Sequence, residues 1–186
     1  ILENELSCKF LNASSCEIFA KTNKKLNLKS KKKPISPYGE SKLISYEITK
    51  QFREREKIKS YNAIIFNTES EFRDSHYLIP KICNAAIKAY KFQTKTAFGN
   101  LKIAREWNWC DEQCDYMLKF LNKTPQDFIL SNGKLFSAKN MLSYAFSYFN
   151  LNYKKFVYED KKLFRKSDFN FKKSNYTSCL KKNNLY

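Results

Sequence analysis

Apolar and polar positions along this chain fall into blocks that predict strands and helices in alternation. Residues 9–12 form a short apolar run that predicts a strand, and 13–17 a small polar turn after it. Residues 38–55 then carry the pattern of an amphipathic helix, opened by Ser36 and Pro37, residue types suited to a helix start. A second apolar run, 61–66, predicts another strand that ends in the polar series Asn67, Thr68, Glu69 and Ser70. Strand, helix, strand with polar residues at the strand ends is a βαβ reading, so the predicted fold class is α/β. Further helical stretches are expected at 76–91 and 138–149, and residues 1–6 read as the tail of a helix feeding the first strand. The chain is therefore expected to begin inside a fold.

This arrangement sets specific side chains together. Ser15 and Glu17 fall at the carboxyl end of the first strand, beside the helix start that bears Tyr38 and Lys42. Open α/β sheets bind their ligands at that end. A separation of four residues puts Tyr38 and Lys42 on one helix face. A fixed ammonium near a tyrosine favours its phenolate, the form that serves as a base. In a chain with 12 Tyr and 35 Lys plus Arg, an ordinary surface Tyr and Lys is the competing reading of this pair alone.

Composition narrows the classes. With 186 residues and 42% hydrophobic content, the chain can bury a core as one domain or a large part of one. It has no run of eighteen apolar residues and no signal-peptide pattern at its start, so the expectation is a cytoplasmic protein with no membrane partner. A net charge of +17 raises nucleic-acid binding as an alternative, but the basic residues are scattered and no recognition motif accompanies them; no nucleic-acid partner is expected. Tyr144, Phe146, Tyr148 and Phe149 are expected to form a packed helix face rather than a base-stacking platform. The cysteines at 8, 16, 83, 110, 114 and 179 lack a Cys-x-x-Cys pair; buried free thiols are expected, and no metal. His76 is read as a cap or surface residue.

The ordered series Ser-Ser-x-Glu (14–17), Tyr-x-x-x-Lys (38–42) and Phe-Asn-x-Glu-Ser (66–70) resembles the extended short-chain dehydrogenase/reductase group that acts on nucleotide sugars, most closely the GDP-mannose 4,6-dehydratase family. Phe98-Gly99-Asn100-Leu101, Arg105-Glu106-Trp107, the 127–133 segment and Phe164-Arg165-Lys166-Ser167-Asp168 resemble later elements of that family in the same order. The resemblance implies an incomplete Rossmann-type doubly wound sheet with a smaller carboxyl-terminal substrate-binding lobe. Residues 1–66 would be the last part of the NADP-binding domain, and 67–186 mainly the substrate lobe, with crossings back to the sheet.

Roles follow by the same resemblance. Tyr38 would take the sugar C4 hydroxyl proton, with Lys42 lowering its pKa and holding the nicotinamide ribose of NADP. Ser15 would orient that hydroxyl, and Glu17 would take the C5 proton. Asn67, Lys81, Arg105, Arg165 and Asp168 match positions that hold GDP-mannose or a related nucleotide sugar, and Arg73 one that helps hold NADP across a subunit contact. A homo-oligomer, dimer or tetramer, is implied. Departures from the family pattern include Thr68, Glu71, Phe72, Asp74, Pro80 and Asn108, and Asp168 stands where Glu is usual. A dinucleotide fold needs a Gly-rich turn where backbone meets pyrophosphate. The three glycines, Gly39, Gly99 and Gly133, do not supply one, so the isolated chain is expected to be inactive. It reads either as part of a longer dehydratase or as a non-catalytic remnant, with a related dehydratase or epimerase as the other enzymatic reading.

Overall fold

The computed structural model describes residues 7–22, 24–164 and 173–174. Strand β1 (Phe10–Ser15) leads through a 3₁₀ turn (Cys16–Ile18) and a lysine-rich loop to helix α1 (Pro37–Arg55) and strand β2 (Ser60–Ile65). Short strand β3 (Thr68–Glu69), helix α2 (Leu78–Phe92) and strands β4 (Thr96–Phe98), β5 (Ala104–Arg105) and β6 (Asn108–Trp109) follow. Helix α3 (Cys110–Leu121), strands β7 (Asp127–Leu130) and β8 (Phe136–Ser137), helix α4 (Ala138–Ser147) and strand β9 (Val157–Glu159) complete the described elements.

Strands β1, β2 and β7 form a parallel sheet in the order β1-β2-β7, with Ser15 opposite Ile65 and Leu130 beside the same residue. The central strand is buried on both faces, as parallel strands between helices are. Its alternating side chains divide accordingly. Ile64 joins Tyr46 of α1 in one core, while Tyr61 and Ala63 join Phe120 of α3 in the other. Helices on both faces of a parallel sheet make the doubly wound arrangement that the strand and helix order predicts.

A third core lies apart from the sheet, where Ile82, Ala86 and Ala89 of α2 pack against Leu142 and Phe146 of α4, with Phe98 and Leu101 beside them. Three small parallel or antiparallel pairings, β3 with β6, β4 with β9 and β5 with β8, tie this body together. Among the described residues no helix is long and apolar enough to cross a membrane.

Four expectations shift. The first strand runs on to Ser15 because Ser14 and Ser15 still pair with Ile64 and Ile65, so the small polar residues end the strand instead of following it. The second helix starts at Leu78, because the Asp74 carboxylate accepts from the His76 backbone at 3.0 Å and holds His76 in a turn ahead of it. The aromatic face of α4 is only half packed: Phe146 is fully buried, while Tyr144 and Tyr148 are 82% and 83% exposed. Helical rotation explains this, since Leu142, Phe146 and Phe149 share the core side and Tyr144 and Tyr148 share another. The thiols differ too. Cys16 is buried, whereas Cys8, Cys83 and Cys114 are exposed and Cys110 partly so; Cys179 lies outside the described residues.

Candidate active site

Helix α1 starts where the sequence places it. Ser36 Oγ accepts from Gly39 N at 3.1 Å and Pro37 occupies the first turn. Gly39 is required by close approach: a Cβ there would lie 2.8 Å from the Glu17 carbonyl oxygen and 2.9 Å from Pro34 Cβ. The helix start is therefore pressed against the 3₁₀ turn after β1, which brings Tyr38 next to Glu17. Lys42, one turn on, donates from Nζ to the Ala13 carbonyl at 3.0 Å, and its ammonium stands 5.8 Å from the centre of the Tyr38 ring. The four-residue spacing thus places Tyr38 and Lys42 together as expected. Ser15 is buried, and its Oγ accepts from Glu17 N at 3.2 Å, capping the turn that carries Glu17.

At the carboxyl ends of β1 and β2 opens a cleft of about 610 Å³. Glu17, Tyr38, Asn67, Arg73, Lys81 and Arg105 line it, so residues from five separate segments meet in one place. Ser15 and Lys42 stand behind Glu17 and Tyr38 rather than on the cleft wall. Arg165 and Asp168 lie outside the described residues.

Each wall has a local cause. Asn67 follows β2, and its carbonyl oxygen accepts from the backbone N of Asn108 at 2.9 Å and from Asn108 Nδ2 at 3.0 Å. The Asn108 side chain, which stands where the family usually has glycine, therefore ties the Asn67 loop to β6. Lys81 sits on the first turn of α2 with its ammonium 4.7 Å from the centre of the Phe98 ring. Arg105 Nη1 donates to the Ala104 carbonyl at 2.9 Å. Next to it Glu106 is fully buried, and its carboxylate accepts from Gly133 N at 2.8 Å and from Ser174 Oγ at 2.9 Å. That buried carboxylate clips the 105–107 segment to the loop after β7, which sets Arg105 and Trp107 at the cleft rim.

The sequence reading gave no role to Glu69, Tyr77 and Trp107, which also line the cleft. Glu69 is only 8% exposed, and its Oε2 lies 3.7 Å from Arg73 Nε. Burial pushes its carboxyl above the usual range, against the pull of Arg73. The Arg73 guanidinium stacks on Tyr77 at 3.8 Å. The spacing of Glu69, Arg73 and Tyr77 was the available signal, but it falls in a loop where helical periodicity gives no licence to group them. Among the described residues no cluster of three metal-ligating side chains exists.

The family model described as GDP-mannose 4,6 dehydratase matches residues 1–180. The chain belongs to the GDP-mannose 4,6-dehydratase family. It is 30% identical over 170 residues to GDP-mannose 4,6 dehydratase 1 of Arabidopsis thaliana, covering 90% of this chain and 47% of that protein. The human GDP-mannose 4,6 dehydratase is 32% identical over 146 residues, with 75% of this chain and 38% of that protein covered. The chain thus spans less than half the length of these curated relatives. Among solved structures, RMD from Pseudomonas aeruginosa, complexed with NADPH, superposes with a TM-score of 0.85 at 13% identity, covering 97% of this chain and 61% of that one. The dTDP-glucose 4,6-dehydratase of Bacillus anthracis, in complex with NAD, gives 0.82 at 14% identity, covering 95% and 55%. At these identities the superpositions establish the fold alone, part of a Rossmann-type α/β sheet.

Proposed function

We propose that this chain carries the sugar-handling part of a GDP-mannose 4,6-dehydratase, a hydro-lyase of nucleotide-sugar metabolism that turns GDP-mannose into GDP-4-keto-6-deoxymannose. The observation that carries the reading is the opening of Glu17 and Tyr38 onto the same cleft as Asn67, Lys81 and Arg105. One end of that cleft holds a carboxylate and a phenol; farther along, Arg73, Lys81, Arg105 and the amides of Asn67 and Asn100 stand among apolar residues and supply groups suited to a nucleoside diphosphate.

The dinucleotide, which we take to be NADP, supplies a place for the C4 hydride to rest and return from when it is bound. By the resemblance its nicotinamide end would be held by Tyr38 and Lys42, whereas its pyrophosphate has no Gly-rich turn among these residues. The chain's own groups account for the proton movements. Tyr38 takes the proton of the C4 hydroxyl, with the Lys42 ammonium fixed nearby by its bond to Ala13. Ser15 shapes the turn that presents Glu17, and the resemblance gives it the further task of orienting the same hydroxyl. Glu17 then takes the C5 proton, made acidic by the adjacent ketone, as water leaves across C5 and C6. Asn67, Lys81 and Arg105 hold the nucleotide, a role the resemblance also gives to Arg165 and Asp168. Residues 67–186 would then be mainly the substrate lobe.

The working unit we propose is a cytoplasmic homo-oligomer, dimer or tetramer. On α1, Ile44, Ile48 and Phe52 form an exposed apolar row at helical spacing, 61%, 48% and 42% exposed, which supports assembly through that helix. The test of the activity joins this chain to a Gly-rich dinucleotide-binding segment from a relative. Incubated with GDP-mannose and NADP in deuterated water, it should yield a 4-keto-6-deoxy product carrying solvent deuterium. Glu17→Gln should abolish that incorporation; an epimerase would keep its activity with Gln at this position, and a non-catalytic remnant would show no product at all.

A further inference from the structure

The reaction assigned above leaves the carboxylate of Glu106 without a task, although the side chain is fully buried. A buried carboxylate is costly unless hydrogen bonds surround it. Here they come from two distant parts of the chain. Gly133 N, in the loop after β7, donates to Oε2 at 2.8 Å; Ser174 donates twice, from its backbone N to Oε1 and from its hydroxyl to Oε2 at 2.9 Å. Ser131 Oγ donates to Ser174 Oγ in turn.

Residues 173 and 174 are also tied to another region. Ser174 forms a parallel bridge with Leu26, and Leu26 N donates to the Lys173 carbonyl at 2.7 Å. Leu26 lies in the loop between Glu17 and Tyr38 and is buried beside Ile18, Phe19 and Tyr46. That loop closes on itself: Phe19 bridges Lys32, and Ala20 N donates to the Lys31 carbonyl at 2.9 Å. Its ends supply Phe19, Lys21 and Ile35 to the cleft wall, while Arg105 and Trp107, on either side of Glu106 in the chain, supply another part. Leu26 itself does not line the cleft.

An apolar contact would fill the same space without a preferred direction, whereas a hydrogen-bonded carboxylate fixes direction as well as distance. We propose that Glu106 and Ser174 form a latch that makes two walls of the cleft move as one: the 105–107 segment and the loop before α1. Glu106 is a positioning residue for Arg105, and Ser174 carries its hold to Leu26. This rests on the nucleotide-sugar reading above and adds how the nucleotide end of the cleft is fixed to the rest.

The experiment uses the 186-residue chain, GDP as the probe and Ser174→Ala as the variant, which removes the hydroxyl bonds of the latch and leaves the backbone bond in place. Amide hydrogen exchange is read by NMR, with Ile64 of the central strand as the reference for global opening. Without ligand, Ser174→Ala should speed exchange about tenfold at both Leu26 and Asn108, whose N donates to the Asn67 carbonyl at 2.9 Å next to Trp107. A change at only one of the two, or at neither, overturns the proposal. Equal acceleration at Ile64 marks a general loss of stability and overturns it too. GDP at about ten times its Kd should slow Leu26 exchange about fivefold in the unaltered chain and less than twofold in Ser174→Ala. GDP binding without that slowing also overturns the latch. If the unaltered chain does not bind GDP, the nucleotide-sugar reading fails instead, and the ligand-free arm still decides the latch.

Discussion

Buried charge is treated in opposite ways beneath α1 and in the cleft. Under the helix, Asp127 Oδ1 accepts from Arg53 Nη2 at 2.6 Å and from Asn62 Nδ2 at 3.0 Å, while Oδ2 accepts from the Tyr46 hydroxyl at 2.6 Å. Asn62 passes the chain on, accepting from Asn12 at 2.8 Å, and Arg53 also reaches the Ser60 carbonyl at 3.1 Å. Every strand of the central sheet is thus tied to α1 through one network. Burial and the bond to Asp127 push the Tyr46 phenol far above its ordinary range, so it stays a neutral donor. In the cleft, Glu69 and Arg73 form an ion pair at 3.7 Å, and neither Glu69 Oε2 nor Arg73 Nε makes a hydrogen bond among the described residues. Two tyrosines on the same helix show the same contrast. Tyr46 is 3% exposed and locked to the sheet; Tyr38 is 55% exposed and faces the cleft. A hydrogen-bonded network holds the frame, while the cleft carries a looser ion pair and an exposed tyrosine.

The largest effect should come from breaking the satisfied side. Asp127→Ala strands the Arg53 guanidinium and the Tyr46 hydroxyl, and should cost about 3–5 kcal/mol in urea unfolding, enough to unfold much of the population. Gly39→Ala attacks the hinge between the two regions, where a methyl would meet the Glu17 carbonyl at 2.8 Å. It should cost about 1–3 kcal/mol and displace Tyr38 from Glu17, seen as lost turnover in the joined enzyme beyond the stability loss. Tyr46→Phe removes only one charged hydrogen bond and should cost about 1.5–2 kcal/mol.

The smallest effect has the opposite sign. Glu69→Gln should stabilise the free chain at pH 7 by about 1 kcal/mol. Because the folded carboxyl sits above its ordinary 4.5, its contribution to stability is complete below that pH and is lost as pH rises through the higher folded value. Arg73 and Cys83 are the titratable groups that act on it or feel it. Chemical unfolding across this range should show a decline in the unaltered chain that Glu69→Gln flattens.

The βαβ unit and the helix carrying Tyr38 and Lys42 could be read from the sequence because they are local: a strand pattern, a Ser-Pro helix start and a four-residue spacing. The placing of Glu17 beside the Tyr38 helix start followed from the βαβ reading, but the close passage of Gly39 against the Glu17 carbonyl that sets it did not. The Asp127 network was out of reach. Asn12, Asn62 and Asp127 look like solvated polar residues until three strands bring them together beneath α1. Asn108 shows the reverse, a departure from the family pattern that reads as a lost glycine and proves to hold the Asn67 loop.

The central claim is that the cleft at the ends of β1 and β2 receives a nucleotide sugar. An amide-resolved NMR titration of the 186-residue chain with GDP-mannose tests it most directly. The account predicts saturable shifts at Tyr38, Asn67, Arg73, Lys81 and Arg105, and no response to NADP added alone. Shifts confined to other surfaces, or none with GDP-mannose at millimolar concentration, would contradict it.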